Sequence, residues 1–541
     1  MIRFTSCLFC FIAVICSFSC NKKQASDKTI FRYNESSGIA SLDPAFAKNQ
    51  SIMWAVHQLY NTLVEVDDSL RIQPSLAKRW EFSEDKKTIL FFLRTDVFFH
   101  NDPAFKDSIG RMLTADDVVF SFQRILNPET ASSGAWIFNN RVDTTQPFTA
   151  LNDTVFQLKL LQPFQPILGI LSMQYCSIVP KEAVQLYDND FRRHPVGSGP
   201  FQFVAWVEGQ ALVLKKNENY FEKDSSGVAL PYIDGIKVNF FVSKATEFLE
   251  FRQGRLDFIN DIDASFKDEI LSKTGQLKKE WKGIIQLNTS AYLNIEYLGI
   301  LVDTNNVLLK NSPLKIKQVR QAINYGINRK KMMLYLRNSI GTAAESGFVP
   351  QGLPSFDTFE VKGYHYDPSK ARALLAEAGF NNSKNMPSIK LLTIPVYTNL
   401  ASYLANELKQ IKVNVQVETI QKSLLLEQTS KSQAVFFRGS WIADYPDAEN
   451  YLSVFYSKNP APPNYTRYKN SAFDALYEQA LQEENDSLRF ILYRKMDQQI
   501  MLDAPIVPLW YDKALHLTQP NITGFKPNPL NMLELRRVRK P

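Results

Sequence analysis

The rhythm of apolar and polar positions changes along this chain. Up to about residue 110, apolar residues alternate with polar ones or form short runs, as in "TIFRYNES" and "TILFFLRTDVFF", which predicts strands joined by turns. The first helical spacing is "LTADDVVFSFQRIL", where Val118, Val119, Phe122, Ile125 and Leu126 recur on one face. Thr114 is its expected N-cap, Asp117 completes a capping box, and Asn127-Pro128 stops the helix. Strand patterns return in "TVFQLKLLQPF", "VGSGPFQFVAW" and "GQALVLKKNENYF", so the first half is predicted to be β-rich.

The second half differs. "SPLKIKQVRQAINYGINRKKMMLYL" and "DPSKARALLAEAGF" read as helical, the latter with Asp367 as N-cap, Pro368 in its first turn and Gly379 past its end. "SIKLLTIPVY", "NLASYLANELKQI" and "VNVQVETI" then read as strand, helix and strand. A crossover of that length implies a parallel βαβ unit, with "AVFF" as the next strand of an α/β lobe.

Past Phe437 the chain reads "RGSWIADYPD", placing Arg438, Trp441, Asp444 and Asp447 close together. Open α/β sheets bind ligands beyond the carboxyl ends of their strands, so this stretch is the candidate site for something carrying both a cation and an anion. Structural roles compete with that reading. Trp441 can be a core indole, Arg438 can pair internally with Asp444 or Asp447, and Asp447 before "AENYL" suits a helix N-cap.

Composition narrows the possibilities. The chain has 541 residues, 45% hydrophobic and 12% aromatic, enough for more than one large core. It opens with "MIRFTSCLFCFIAVICSFSC", one cation and then an apolar run too short to span a bilayer, the pattern of a secretory signal peptide over residues 1–19. Cys20 after Ser19 resembles the lipobox of bacterial lipoproteins, which implies lipidation at Cys20 and a polar tether over 20–28; cleavage and release is the alternative. Without residues 1–19 the net charge falls from +7 to +6, as the run holds one cation. Only the tail "LRRVRK" is strongly basic, so no nucleic-acid partner is expected. Four of the five cysteines lie in the leader; Cys176, in "ILSMQYCSIVP", reads as a buried thiol. No metal-ligand cluster, activated nucleophile or phosphate loop appears, so neither catalysis nor a cofactor is expected.

Eight ordered segments, among them "SLDPAFAKNQ", "LTADDVVFSFQRILNP", "VGSGPFQFVAWVEGQALVLKKNENYF", "VRQAINYGINR", "YDPSKARALLAEAGF" and "WIADYPDAENYL", carry a resemblance over nearly the whole chain. The chain is similar to family 5 extracytoplasmic solute-binding proteins, the oligopeptide, dipeptide and nickel-binding type that feeds ABC importers. The resemblance implies a two-lobed, mixed α/β periplasmic-binding-protein fold with three domains and no enzymatic step. Lobe I is expected from residues 29–62, 191–298 and 506–541, an extra β-rich domain from 63–190, and lobe II from 299–505, with hinges near Leu298-Gly299 and Ala504-Pro505. The implied ligand is a short peptide. Asp444 falls on the aspartate that binds a peptide's ammonium, and Arg438 on an arginine that can approach its carboxylate. Lys48, Asn49 and Gln50 fall where the peptide backbone is held, and Trp441 is a candidate cleft wall. Thr429 and the neighbourhood of Val396 stand where relatives use further basic residues. A nickel chelate, haem or an oligosaccharide is the alternative ligand on the same fold. A permease of the inner membrane, a lipid anchor on its periplasmic side and a monomeric state complete the expectation.

Overall fold

The computed structural model describes residues 29–381 and 386–541. The signal segment and Cys20 lie outside the described residues. One mixed sheet of eleven strands organises the molecule, and its centre is a long antiparallel pair, Gln286–Ile300 and Ile506–Thr518. On one side of the pair lie Phe258–Asn260, Ile30–Asn34, Gly235–Asn239, Ala211–Lys216 and Phe201–Val207. On the other side lie Phe436–Ile442, Ile389–Thr393 and Val415–Thr419, while Thr342–Ala343 adds to the centre. The chain passes to the second side along Gln286–Ile300 and returns along Ile506–Thr518. The pairing register between these strands breaks between Ala291 and Ile295.

Residues between the strands Ile30–Asn34 and Phe201–Val207 form a second, four-stranded antiparallel sheet, in the order Ala77–Phe82, Thr88–Leu93, Val155–Lys159, Phe148–Asn152. The helix Ala115–Leu126 packs on it. It begins as its sequence demands, with the Thr114 N–H donating to Asp117 Oδ2 at 2.9 Å, and it buries Val118, Phe122 and Ile125. Arg124 on this helix donates to the buried Asp43 of "SLDP" at 2.8 Å, joining this sheet to the first lobe. One apolar cluster, including Phe31, Trp54, Phe91, Phe122 and Leu535, fills both, so the inserted sheet and the first side of the large sheet share a core. Cys176 is buried in that cluster, and burial pushes its thiol well above the usual range.

The second side contains the predicted βαβ unit. Ile389–Thr393 pairs in parallel with Val415–Thr419, joined through the helix Thr398–Gln410. One face of the second side is covered by Val319, Ile323, Met332, Leu404 and Leu408; on the other, Leu425 packs over Leu392, and aromatic and aliphatic residues of Ser471–Gln482 and Asp486–Asp503 pack over the central strands. Asp367 caps its helix by accepting from the N–H groups of Ser369 and Lys370, and Gly379 past the end has φ +89°.

One expectation is corrected. The strand read as ending at Phe437 runs from Phe436 to Ile442, because its pairing with the central strand continues from Ile300↔Phe436 to Asn294↔Ile442. Arg438 and Trp441 are therefore residues of the sheet, and Asp444 and Asp447 stand beyond its end. Gly439 permits the pairing, since a Cβ there would lie 2.7 Å from the Tyr297 ring.

Candidate functional site

The strand Phe436–Ile442 has a different neighbour on each edge. Its pairing with Gln286–Ile300 is complete, but Ile389–Thr393 touches it only at Leu392↔Phe437. Among the described residues no strand covers that edge from Arg438 to Ile442. Every strand carries backbone donors and acceptors, so this open edge can receive an extended chain as an added strand.

Alternation sorts the side chains. Phe437, Gly439 and Trp441 share a face with Tyr297 and Ile295, Trp441 packing on the core that holds those two and Phe437 on a smaller cluster with Leu392 and Leu425, while Phe436, Arg438, Ser440 and Ile442 share the opposite face with Glu296 and Leu298. Along this second face Phe436 and Leu298 are buried and Ile442 is half exposed. Arg438 sits where the face leaves the core. Its Nη2 donates to Glu296, its guanidinium stacks 3.9 Å from the centre of the Tyr397 ring, and the Tyr397 hydroxyl donates to Glu296 Oε1 at 3.2 Å. Burial holds the Glu296 carboxyl above the usual range, against the pull of Arg438. Arg438 thus pairs with Glu296, 142 residues away in the chain, and not with Asp444 or Asp447.

Trp441 packs against the core at the foot of this region, and its Nε1 donates to Asn450 Oδ1 at 3.0 Å. Asn450 also accepts from the Asp444 N–H and donates to Asp444 Oδ2, each at 3.3 Å. Asn450 is the residue that the sequence reading missed; it fixes the indole and the carboxylate relative to each other. Asp447 accepts from the Glu449 N–H at 2.8 Å at the start of the short helix Glu449–Leu452, and Arg489 lies 3.7 Å from it. Its role is structural.

Asp444 opens onto a cleft of about 790 Å³. The second side contributes Ala443, Asp444 and Pro446 to its wall; the first lobe and inserted sheet contribute His57, Glu65, Tyr220, Arg94 and Arg536 among others. The halves also touch beside it, since Tyr445 is buried in the first lobe's apolar cluster. Asp444 meets solvent through the cleft, but protein crowds its flanks, and this loss of hydration holds its carboxyl above the usual range; the Asn450 hydrogen bond and the more distant Arg141 oppose the shift.

The charges of the cleft wall are otherwise balanced. Arg536 is held by Glu65, Glu222 and Glu534, and Arg537 lies 3.5 Å from Glu222. Arg94 pairs with Asp96, Lys526 with Asp68, and Asp67 with Arg71. Among the carboxylates lining the cleft, Asp444 alone has no cationic side chain within ion-pair distance.

The remaining sequence-predicted residues lie at the first lobe's helix Gln50–Leu59. Asn49 caps it, accepting from the Ile52 N–H at 3.1 Å, and Gln50 bridges Asn260 and the Asn531 carbonyl. Lys48 is exposed and has no ion-pair partner among the described residues. None of the three lines the cleft as Asp444 does. Nor do the described residues contain a group of three His, Cys, Asp or Glu side chains placed to hold a metal ion.

Comparison with known proteins adds the wider context. The pattern described as bacterial extracellular solute-binding proteins, family 5 Middle, matches residues 71–463. The chain is 26% identical to "Heme-binding protein A" of Haemophilus influenzae over 539 residues, covering 95% of this chain and 94% of that protein. It is also 26% identical to "Periplasmic oligopeptide-binding protein OppA" of Salmonella typhimurium over 537 residues, covering 95% and 93%. The solved structure of HbpA2 from Haemophilus parasuis superposes with a TM-score of 0.82 at 24% identity, covering 95% of this chain and 99% of that one.

Proposed function

Because the chain belongs to the family 5 bacterial extracellular solute-binding proteins, the extracytoplasmic, non-enzymatic binding components of ABC importers, we propose that it captures short peptides in the cleft beside Asp444. One observation carries this reading: an uncovered strand edge, Arg438 to Ile442, leads to a carboxylate that has no cation of its own. A peptide offers the two complements together, a backbone that can pair with the edge and an ammonium that can meet Asp444. Trp441 supports the carboxylate through Asn450. Lys48, Asn49 and Gln50 stand on the first lobe, where closure brings that lobe to the ligand.

The register break at Ala291–Ile295 is our proposed crossing between lobes, a few residues before Leu298-Gly299, where the two central strands exchange one half of the sheet for the other. The protein acts as a monomer that delivers its peptide to an inner-membrane permease. The sequence around Cys20 supports a lipid anchor facing the periplasm, which a fatty-acid label tests: Cys20→Ser should abolish labelling, and equal labelling would remove Cys20 from the anchor. The ligand itself is tested by native mass spectrometry of protein purified from its own host. Copurified peptides are expected; haem, which the name of one relative brings in, a metal chelate or a sugar would overturn the peptide reading.

A further inference from the structure

Every cationic side chain that lines the cleft already has an acid: Arg94 has Asp96, Lys526 has Asp68, and Arg536 and Arg537 share Glu222. Arg438, on the strand that leads into the cleft, has Glu296. That pair is closed on several sides, for the two side chains are 12% and 5% exposed, Tyr397 stacks on the guanidinium, and the Tyr397 hydroxyl holds the second oxygen of Glu296. Beyond Glu296, Asn294 and Arg337 both donate to Asp512, so that neighbouring carboxylate is also occupied and leaves Glu296 to Arg438. The cleft therefore holds one carboxylate in need of a cation and no cation in need of a carboxylate.

We infer that Glu296 sets the specificity of the cleft: by occupying Arg438 it makes the protein a receptor for the amine end of its ligand and indifferent to whether the other end is a free carboxylate. This rests on the peptide reading of the cleft and names the class of peptide, which includes C-terminal amides, esters and peptides blocked at that end. Geometry agrees. From Arg438 to Asp444 an extended strand rises about 20 Å, so a peptide lying along this edge with its ammonium at Asp444 reaches Arg438 only at about its sixth residue. A shorter ligand ends beside Ser440 or Ile442, which offer no charge.

Glu296→Gln removes the acid and keeps the shape, releasing Arg438. The probe is one alanine–glycine hexapeptide in three forms, free, C-amidated and N-acetylated, titrated calorimetrically into wild type and Glu296→Gln. In wild type, amidation should change Kd by less than about threefold, while acetylation weakens binding by about a hundredfold or more. In Glu296→Gln the free acid should bind about tenfold to a hundredfold tighter than the amide, the worth of a hydrogen bond to a charged group. A tenfold loss on amidation in wild type would overturn the inference and point to another cation, Lys48 being the exposed candidate. No preference for the free acid in Glu296→Gln would overturn it as well. Insensitivity to acetylation, or no binding of any form, would overturn the peptide reading itself and this inference with it. The wild-type arm needs no variant, so poor folding of Glu296→Gln leaves the test intact.

Discussion

Single residues in this protein are placed by what they lack as much as by what they touch. Asp444 lacks a cation, whereas Asp497 is enclosed by protein in the second lobe. It accepts from the N–H groups of Phe348 and Val349, and Gly347 precedes them because a Cβ there would lie 1.9 Å from the Asp497 carboxylate. Burial pushes the Asp497 carboxyl up to about 7 from 3.8. The folded value is raised, so its contribution to stability is full below about pH 4 and is lost as pH rises through about 7, by up to roughly 4 kcal/mol. His100 and His516 act in the opposite sense. Burial lowers both from 6.5 to about 4, so stability present above pH 6.5 is lost as pH falls through that window. The two effects overlap in wild type and are separated by Asp497→Asn. Urea denaturation should show the variant gaining stability over wild type steadily from pH 4 to pH 7; a constant difference would mean that Asp497 ionises as freely folded as unfolded. Residues of this kind were half legible. Asp444 stood out in "WIADYPD", but Glu296 could not, since nothing local ties it to Arg438, and Asn450 looked like an ordinary helix residue.

Elements were legible where their signals are local. The capping of Ala115–Leu126 and of Pro368–Glu377, and the βαβ rhythm from Ile389 to Thr419, follow from residues within a turn or two of one another. The strand Phe436–Ile442 was read short because its apolar run stops at Arg438; what extends it is pairing with Gln286–Ile300, a partner remote in sequence. The uncovered edge of that strand is an element-scale property with its own prediction. If a peptide adds to it as a strand, N-methylating the peptide's backbone at alternate positions removes ladder hydrogen bonds, at about 0.5–1.5 kcal/mol each. One of the two alternating methylation patterns should weaken binding by about tenfold or more and the other, which points its methyls away from the edge, much less. Equal affinities for the two patterns would show that the edge receives no strand.

At the scale of the whole molecule the two halves are joined by two paired strands and by contacts across the cleft, of which Tyr445 in the first lobe's core is one. On the proposed function, a ligand enters when those contacts part. Tyr445→Ala removes a buried aromatic from the contact and should shift the free protein towards separated lobes, seen as a larger radius of gyration in small-angle scattering; an unchanged radius would show that this side chain does not hold the halves together. The two-lobed architecture was implied by the resemblance that the ordered motifs carry, while the change of rhythm in mid-chain showed only that the halves differ; the cleft's charge balance was not legible, because it is assembled from both lobes and the inserted sheet. On the proposed function, this cleft takes a peptide by its ammonium at Asp444, and calorimetry on the four combinations of wild type or Asp444→Ala with a free or N-acetylated peptide decides it. Once closure of the lobes has buried the pair, each single change should cost roughly 3–5 kcal/mol, a hundredfold to several-thousandfold in Kd, and both together clearly less than the sum, since they delete one interaction. Strictly additive losses, or an acetylated peptide that binds wild type as tightly as the free one, would make Asp444 a structural carboxylate and contradict the account.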